Sequence, residues 1–262
     1  ESMFSACSSL VSLDLKFNTK NVNNMAKMFS NCIKLEYLDI SSFSTEKVVT
    51  MEEMFNSCNA LKQLKFESLD TSQVTTMSLM FSYCSELTSL DLTSFNTNQV
   101  TNMYGLFSGC KKLENLDISS RFDTSKVTNM ANMFYDCSSF VTLDIANFQT
   151  SKVNRMDSLF EKCTKLERLD LTKWETSEVT TFNSMFSWCS SLKSLKLSNF
   201  DTNKAESMYN MFSDCQSLES VDVSSFNINK VSSMQGMFQN CVSLTSLDLT
   251  NFRGNDNVNS KS

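Results

Sequence analysis

The ten cysteines of this 262-residue chain recur at an almost fixed interval. Seven of the nine intervals are 26 residues long, one is 25 and one is 27. Self-similarity at a period of this length is typical of proteins that stack one supersecondary unit many times. The interval therefore predicts a repeat protein. The cysteines that mark the copies are Cys7, Cys32, Cys58, Cys84, Cys110, Cys137, Cys163, Cys189, Cys215 and Cys241.

Apolar residues follow the same period. All 16 methionines stand seven or four residues before a cysteine, and ten of the 21 phenylalanines stand three residues before one. Because one repeat cannot bury its apolar positions alone, neighbouring copies are expected to stack and enclose them. The predicted core positions of one copy are Leu35, Leu38, Ile40, Met51, Met54, Phe55 and Cys58.

Each copy contains two different periodicities. The segment Met-x-x-Met-Phe-x-x-Cys places apolar residues at i, i+3, i+4 and i+7, which predicts an amphipathic helix of about two turns. Polar residues suited to a helix N-cap precede it, as Thr50 and Asn102 do. The segment Leu-x-x-Leu-Asp-Leu/Ile ends in the alternation of a short strand. A threonine after each strand, such as Thr71, is predicted to cap the returning turn.

These elements predict an α/β repeat solenoid of the leucine-rich-repeat type. About ten repeats of 26 residues would each contribute a short parallel strand and a short helix. A parallel β-helix with a short helical corner is the alternative. The predicted solenoid spans residues 1–252 without clear caps, and a polar tail follows at residues 253–262. The first residues already lie within the repeat pattern, so the sequence is expected to be a fragment of a longer chain.

Composition excludes several classes of function. Histidine is absent, which removes the usual general base and the commonest metal ligand. The net charge of −6 argues against nucleic-acid binding, and no apolar run approaches the ~18 residues of a membrane-spanning helix. A catalytic site needs several unlike groups in one pocket, whereas nearly every position here varies one unit. We therefore expect no enzyme, cofactor or metal site.

The cysteine column has three possible explanations: disulfides, a metal site or a packed ladder of thiols. Zinc sites favour closely spaced cysteine pairs, which the sequence lacks. Stacked side chains one repeat apart hold their Cβ atoms at or beyond the distance that a disulfide needs. Free cysteine behaves as a small buried apolar residue. The packed ladder is the favoured interpretation.

An acidic column follows the predicted strands and should face outward on the concave sheet. It consists of Asp14, Asp39, Asp91, Asp117, Asp144, Asp170, Asp222 and Asp248, interrupted by Lys65 and Lys196. Either it keeps an exposed sheet soluble, or it binds a cationic or calcium-bridged ligand. The position two residues earlier varies, as a recognition surface does, and carries Tyr37, Gln63, Asn115, Thr142 and Arg168.

Four aromatic residues lie on the predicted polar helix faces. Tyr83 and Trp188 each precede a cysteine directly, and Tyr104 and Tyr209 each stand six residues before the next one. If these segments are helices, the two columns lie on opposite flanks, which stacked neighbours turn toward each other. This geometry would bring Tyr83 to Tyr104 and Trp188 to Tyr209 as convex aromatic pairs; four separate exposed side chains are the alternative.

Two copies carry a resemblance to a known family. They read S-S-R-F-D-T-S-K-V-T-N-M-A-N-M-F-Y-D-C from Ser119 and L-D-L-T-S-F-N-T-N-Q-V-T-N-M-Y-G-L-F-S-G-C from Leu90. The chain resembles the BspA-like surface leucine-rich repeats, in the subgroup also called the mycoplasma-lipoprotein-associated repeat. The resemblance covers residues 1–252 and implies a bacterial or protist protein that is extracellular or at the cell surface and used for adhesion, with no catalytic motif to carry over.

Two functions therefore remain open. The first is a scaffold that presents its concave strand face to a protein or glycan partner. The candidate residues of that face are Tyr37, Asp39, Asp91, Asn115, Asp117, Thr142, Asp144, Arg168 and Asp170. The second is a structural rod or spacer with no specific ligand, which could also assemble into surface filaments through its uncapped ends.

Overall fold

The structure, a computed structural model, describes residues 1–13, 15, 18–66, 69–118, 121–250 and 252. It divides into two compact units, Glu1–Lys126 and Val127–Ser262. Each unit stacks consecutive copies of the repeat. The predicted polar tail and Asp14 of the acidic column lie outside the described residues.

Short parallel strands form where the Leu-Asp-Leu/Ile segment predicts them. In the first unit β1 (Ser12–Leu13), β2 (Tyr37–Asp39) and β3 (Gln63–Lys65) form one sheet, and β4 (Ser89–Asp91) pairs with β5 (Asn115–Asp117). In the second unit β6 (Ser194–Lys196) pairs with β7 (Ser220–Asp222), and Thr142 forms a parallel bridge with Arg168. Equivalent repeat positions face each other, as Leu90 faces Leu116. The predicted parallel strands are confirmed in seven copies, and the copies that contain Thr142 and Arg168 pair through that single bridge.

The predicted core is confirmed at every position of the example copy: all seven side chains, Leu35 to Cys58, are fully buried. The phenylalanine three residues before each cysteine forms a stack of rings along each unit. In the first unit the ring centroids of Phe29 and Phe55 are 5.8 Å apart, with an interplanar angle of 2°. In the second, Phe160 lies 5.8 Å from Phe134 and 5.7 Å from Phe186. Offset stacking at these distances adds to the free energy of area burial.

The predicted helix is wrong, and so is the helical corner of the alternative fold: the described residues contain no helix. Two positions of each copy, five residues and one residue before the cysteine, have positive φ. In the copy that ends at Cys189 these are Ser184 at 54° and Trp188 at 61°. A right-handed helix requires negative φ at every residue, so it cannot pass through either position.

Backbone hydrogen bonds explain the conformation that replaces the helix. In a helix each N–H group bonds four residues back along the same segment. Here alternate N–H groups donate to the next repeat instead: Ser184 to the carbonyl of Tyr209 at 2.8 Å, Phe186 to Met211 at 2.9 Å and Trp188 to Ser213 at 2.8 Å. The left-handed residues turn these peptide groups toward the neighbouring copy. The segment is therefore part of the ladder that joins repeats.

Glycine at a left-handed position is expected to stabilise the fold. Residues with a Cβ atom are destabilised by about 1–2 kcal/mol in this conformation, whereas glycine is not. Part of that advantage is offset because glycine loses more backbone entropy on folding. Ser184→Gly should raise the free energy of unfolding by up to about 1 kcal/mol, as measured by urea denaturation. The control is Ser194→Gly, in strand β6, where glycine should destabilise. A loss of stability in Ser184→Gly equal to that of the control would contradict the expectation.

Threonines of the column after the strands join neighbouring repeats. The sequence had suggested that each would cap its own turn. The Thr202 hydroxyl donates to the Asn227 carbonyl at 2.9 Å and accepts the Asn227 N–H at 2.7 Å. Thr150 makes the same two bonds with Glu175, both at 2.8 Å. Thr202 and Thr150 are buried, and the hydroxyl of each satisfies both backbone groups of one residue in the following copy.

The cysteines are free thiols, and most are buried. Cys58 Sγ donates to the Phe29 carbonyl at 3.2 Å, and Cys189 Sγ donates to the Phe160 carbonyl at 3.1 Å. Each acceptor belongs to the preceding repeat. The favoured interpretation of a packed thiol ladder is thus confirmed, and the hydrogen bond adds a reason for cysteine at this position, because alanine or valine has no donor to offer.

Candidate functional site

The strand face carries the predicted site residues on the outside of each unit. Alternation along the strand places the first and third residues outward and the leucine between them inward. Asp39 is partly exposed and the others are exposed. The first unit brings together Tyr37, Asp39, Asp91, Asn115 and Asp117, and the second brings together Thr142, Asp144, Arg168 and Asp170.

Three shallow grooves open on this face. A groove of about 520 Å³ beside β1 and β2 is lined by Tyr37 and Asp39, and one of about 300 Å³ beside β3 and β4 is lined by Lys65 and Asp91. In the second unit a groove of about 360 Å³ lies between two neighbouring copies. Its lining residues are Thr142, Leu143, Asp144, Arg168, Leu169 and Asp170. Leucine side chains thus lie between rows of polar ones in this third groove.

Most aspartates of the acidic column also hold the turn that follows the strand. Asp170 Oδ1 accepts the Thr172 N–H at 3.0 Å and its hydroxyl at 2.6 Å, and Asp91 accepts both groups of Thr93 at 2.9 and 2.6 Å. These hydrogen bonds favour the ionised carboxylate and lower the pKa of both aspartates. Sequence reasoning treated the column as free surface and missed this role. The recurring Asp-x-Ser/Thr pattern was the signal that could have revealed it.

In the first unit two strand-face charges, Asp39 and Lys65, form an ion pair. The Tyr37 hydroxyl donates to Asp39 Oδ2 at 3.3 Å, and Lys65 Nζ lies 3.7 Å from the same oxygen. Hydrogen bonds from Ser41, together with Lys65 and Tyr37, lower the pKa of Asp39. Lys65 therefore places a positive charge opposite Asp39, at a position where most other copies carry an aspartate.

The four candidate convex aromatics lie on the segment that was predicted to be helical. Tyr83, Trp188 and Tyr209 are exposed and Tyr104 is partly exposed. The Tyr83 ring lies over Gly109, where a Cβ atom would come within 2.5 Å of the ring. The expected pairs depended on helical geometry, which the segment lacks. Among the described residues, no ring contact joins Tyr83 to Tyr104 or Trp188 to Tyr209.

Neither a metal-binding cluster nor a membrane-spanning helix is found among the described residues. Within the described ranges, no group of three or more cysteine and carboxylate residues is placed to hold a metal ion. No helix in that part of the chain has the length and hydropathy needed to cross a membrane. The charged and polar groups of the strand face are spread over open grooves, where they can contact an extended partner.

A known family model matches this chain. The family model described as "Mycoplasma protein of unknown function, DUF285" matches residues 1–90, 84–170 and 155–261, which together cover almost the whole sequence. The chain belongs to the DUF285 family. This match confirms the resemblance to the mycoplasma-lipoprotein-associated repeat. No curated protein matches this DUF285 chain.

Solved structures of low identity are similar to this DUF285 chain. A leucine-rich repeat protein from Bacteroides ovatus is 21% identical over 94% of this chain and 68% of that one, with a TM-score of 0.40. A leucine-rich cell surface protein from Faecalibacterium prausnitzii is 18% identical over 84% and 74%, with a TM-score of 0.36. A leucine-rich repeat protein from Eubacterium ventriosum is 15% identical over 85% and 80%, with a TM-score of 0.33.

Proposed function

We propose that this DUF285 chain is a non-enzymatic repeat scaffold at the cell surface that binds a protein or glycan partner through its strand face. The observation that carries the proposal is that all three grooves described above open on the strand columns. The exposed side chains Tyr37, Asn115, Thr142 and Arg168 change from copy to copy, whereas the inward leucine position stays apolar. Stacking of repeats requires an apolar residue at the inward position and leaves the outward residue free to vary.

The rival function is a rod or filament that has no specific ligand. Such a rod needs only repeats that stack, and the buried columns supply that in each unit. It gives no reason for tyrosine and arginine on the strand face, the residue types enriched in binding hot spots. The strand-face proposal accounts for them, and it is therefore the stronger of the two.

A pair of matched triple variants tests the proposal. The strand-face variant combines Tyr37→Ser, Asp144→Ser and Arg168→Ser, all exposed and outside the aspartate-capped turns. The control combines Gln99→Ser, Glu46→Ser and Lys152→Ser, which are exposed on the returning segment and remove the same charges. Partners are identified on a glycan array and by capture from surface-protein extracts, and their affinities are measured with purified material.

Loss of strand-face anchors is expected to weaken binding at least about tenfold, since hot-spot side chains each contribute more than 1 kcal/mol. The control variant should bind as the unmodified protein does, and both variants should unfold at the same urea concentration as that protein. Equal binding by all three proteins, or filaments without any captured partner, would favour the rod instead.

A further inference from the structure

Arg168 is a strand-face cation that has no ion-pair partner among the described residues. Lys65 pairs with Asp39, and lysines beside the strands pair with glutamates in neighbouring copies, as Lys193 does with Glu167 at 3.1 Å. By contrast, the exposed Arg168 guanidinium makes no side-chain hydrogen bond or ion pair with any described residue, although two aspartates line the same groove. Its five donors are available to a ligand.

Asp144 is unusual within the acidic column for a reason visible in its sequence. Asp91, Asp170 and Asp222 are each followed two residues later by a serine or threonine that bonds the carboxylate. Ala146 occupies that position after Asp144. The exposed Asp144 carboxylate makes no hydrogen bond within the described part of the chain, so its oxygens can accept hydrogen bonds from a ligand.

Lysines outside the groove lining offset part of the negative charge of its two aspartates. Hydrogen bonds from Thr172, and to a lesser extent the positive charges of Lys173 and Lys196, lower the pKa of Asp170. The groove lining holds one cation, Arg168, and two carboxylates, Asp144 and Asp170, and two lysines lie close enough to act on Asp170. Charge complementarity of this kind directs a ligand's carboxylate to the guanidinium and its neutral groups to the aspartates.

From these features we propose that the groove binds an acidic sugar, with Arg168 holding the carboxylate and Asp144 accepting hydrogen bonds from ring hydroxyls. Arginine matches a carboxylate with two parallel N–H···O bonds. A uronic acid carries a carboxylate and adjacent hydroxyls on one ring, which fits an unpaired guanidinium beside an unpaired carboxylate. An acidic peptide side chain supplies the first group and lacks the second.

This inference rests on the proposed strand-face function and narrows the ligand class at one groove. The probe is a tetrasaccharide of alternating glucuronic acid and N-acetylglucosamine, and its carboxyl-reduced form is the matched control ligand. Isothermal titration of the full chain at low ionic strength should show binding of the acidic form and at least about tenfold weaker binding of the reduced form.

Single substitutions locate the site. Arg168→Gln should weaken binding of the acidic form about tenfold or more, and Arg168→Lys should weaken it less, because lysine keeps the charge and loses the two-bond geometry. Asp144→Asn should weaken both forms of the sugar, since the amide supplies only one acceptor oxygen. Lys152→Gln, which removes an exposed cation of the returning segment in the same unit, should leave the affinity unchanged.

Several results would overturn the proposal. They are the absence of binding at about 5 mM tetrasaccharide, equal affinity for the reduced form, and unchanged affinity in Arg168→Gln. Equal competition by a glutamate-rich peptide would indicate an acidic protein as the ligand. If the sugar fails while the strand-face triple variant still loses its partner, the proposed function stands and only the acidic-sugar assignment falls.

Discussion

Raising the pH above 9 is expected to unfold this protein through its thiol ladder. Burial raises the pKa of Cys58 and Cys110 from 9.0 to about 12, and it raises those of Cys84, Cys163, Cys189 and Cys215 as well. In the unfolded chain these six thiols ionise near pH 9, whereas in the folded chain they keep their protons to higher pH. The folded state then binds more protons, so the free energy of unfolding falls as the pH rises from 9 toward 12.

The expected size of this effect is large. Each buried thiol approaches a loss of about 1.4 kcal/mol per pH unit above the ordinary pKa, so six together approach about 8 kcal/mol per unit. That slope is comparable with the whole stability of a typical domain, about 5–15 kcal/mol. Urea denaturation between pH 8 and about pH 10.5, under reducing conditions, measures it.

Removing single thiols tests the cause. Cys189→Ala is expected to lower stability at neutral pH, because it leaves a cavity, and to reduce the alkaline slope by about 1.4 kcal/mol per pH unit. Cys7→Ala, at the exposed cysteine, is the control and should leave the slope unchanged. An equal slope in all three proteins would show that groups other than the buried thiols cause alkaline unfolding.

Phe160→Ala is expected to cost about 3–5 kcal/mol of folding free energy. The Phe160 ring is fully buried, lies between Phe134 and Phe186, and contacts Trp174 at 6.1 Å between centroids. Truncation removes all three ring contacts and leaves a cavity that rigid neighbouring copies cannot close. The measurement is the urea midpoint together with the denaturant slope, which shows whether unfolding remains a single transition.

Phe238→Ala is the matched control. Phe238 occupies the same repeat position and stacks on Phe212 at 5.2 Å, but its side chain is partly exposed. Truncation there removes less buried apolar area, so the loss of folding free energy should be well below that of Phe160→Ala. A loss of folding free energy below about 1 kcal/mol in Phe160→Ala, or equal losses in both variants, would contradict the prediction. Either result would show that ring contacts inside the stack contribute little to stability.

The repeat register and the core were predictable because they depend on which positions are apolar. Leu38, Met54 and Phe55 had to be enclosed by neighbouring copies, and the structure buries all three completely. The strands were predictable for the same reason, since alternation over even three residues separates an inward leucine from outward polar groups.

The helix was mispredicted because the apolar spacing alone does not specify the sign of φ. Apolar residues at i, i+3, i+4 and i+7 share one side of a helix, and they share the inner side of this turn as well. Gly105, Gly109 and Gly236, three of the four glycines, occupy the left-handed positions, and several other copies carry asparagine or aspartate there. Those residue types tolerate positive φ best, so their columns held the missing signal.

The candidate site was predictable as a surface and not as a set of contacts. Alternation placed Asp144 and Arg168 on the outer face, where they lie. Whether each side chain is free or bound depends on a neighbour two residues or one copy away, as Thr172 is for Asp170 and Lys65 is for Asp39. Such differences between copies are invisible when the repeats are read as one averaged unit.

The hydrogen bonds between copies have a consequence for how such a chain changes length. Backbone and side-chain bonds that join copies connect residues about one period apart, as Thr202 joins Asn227 and Thr150 joins Glu175. Duplication or deletion of one whole period therefore supplies or removes both partners of each bond together. Recombination between its own repeated segments can then lengthen or shorten the protein without new packing solutions, and each added copy brings one more strand-face position for selection to alter.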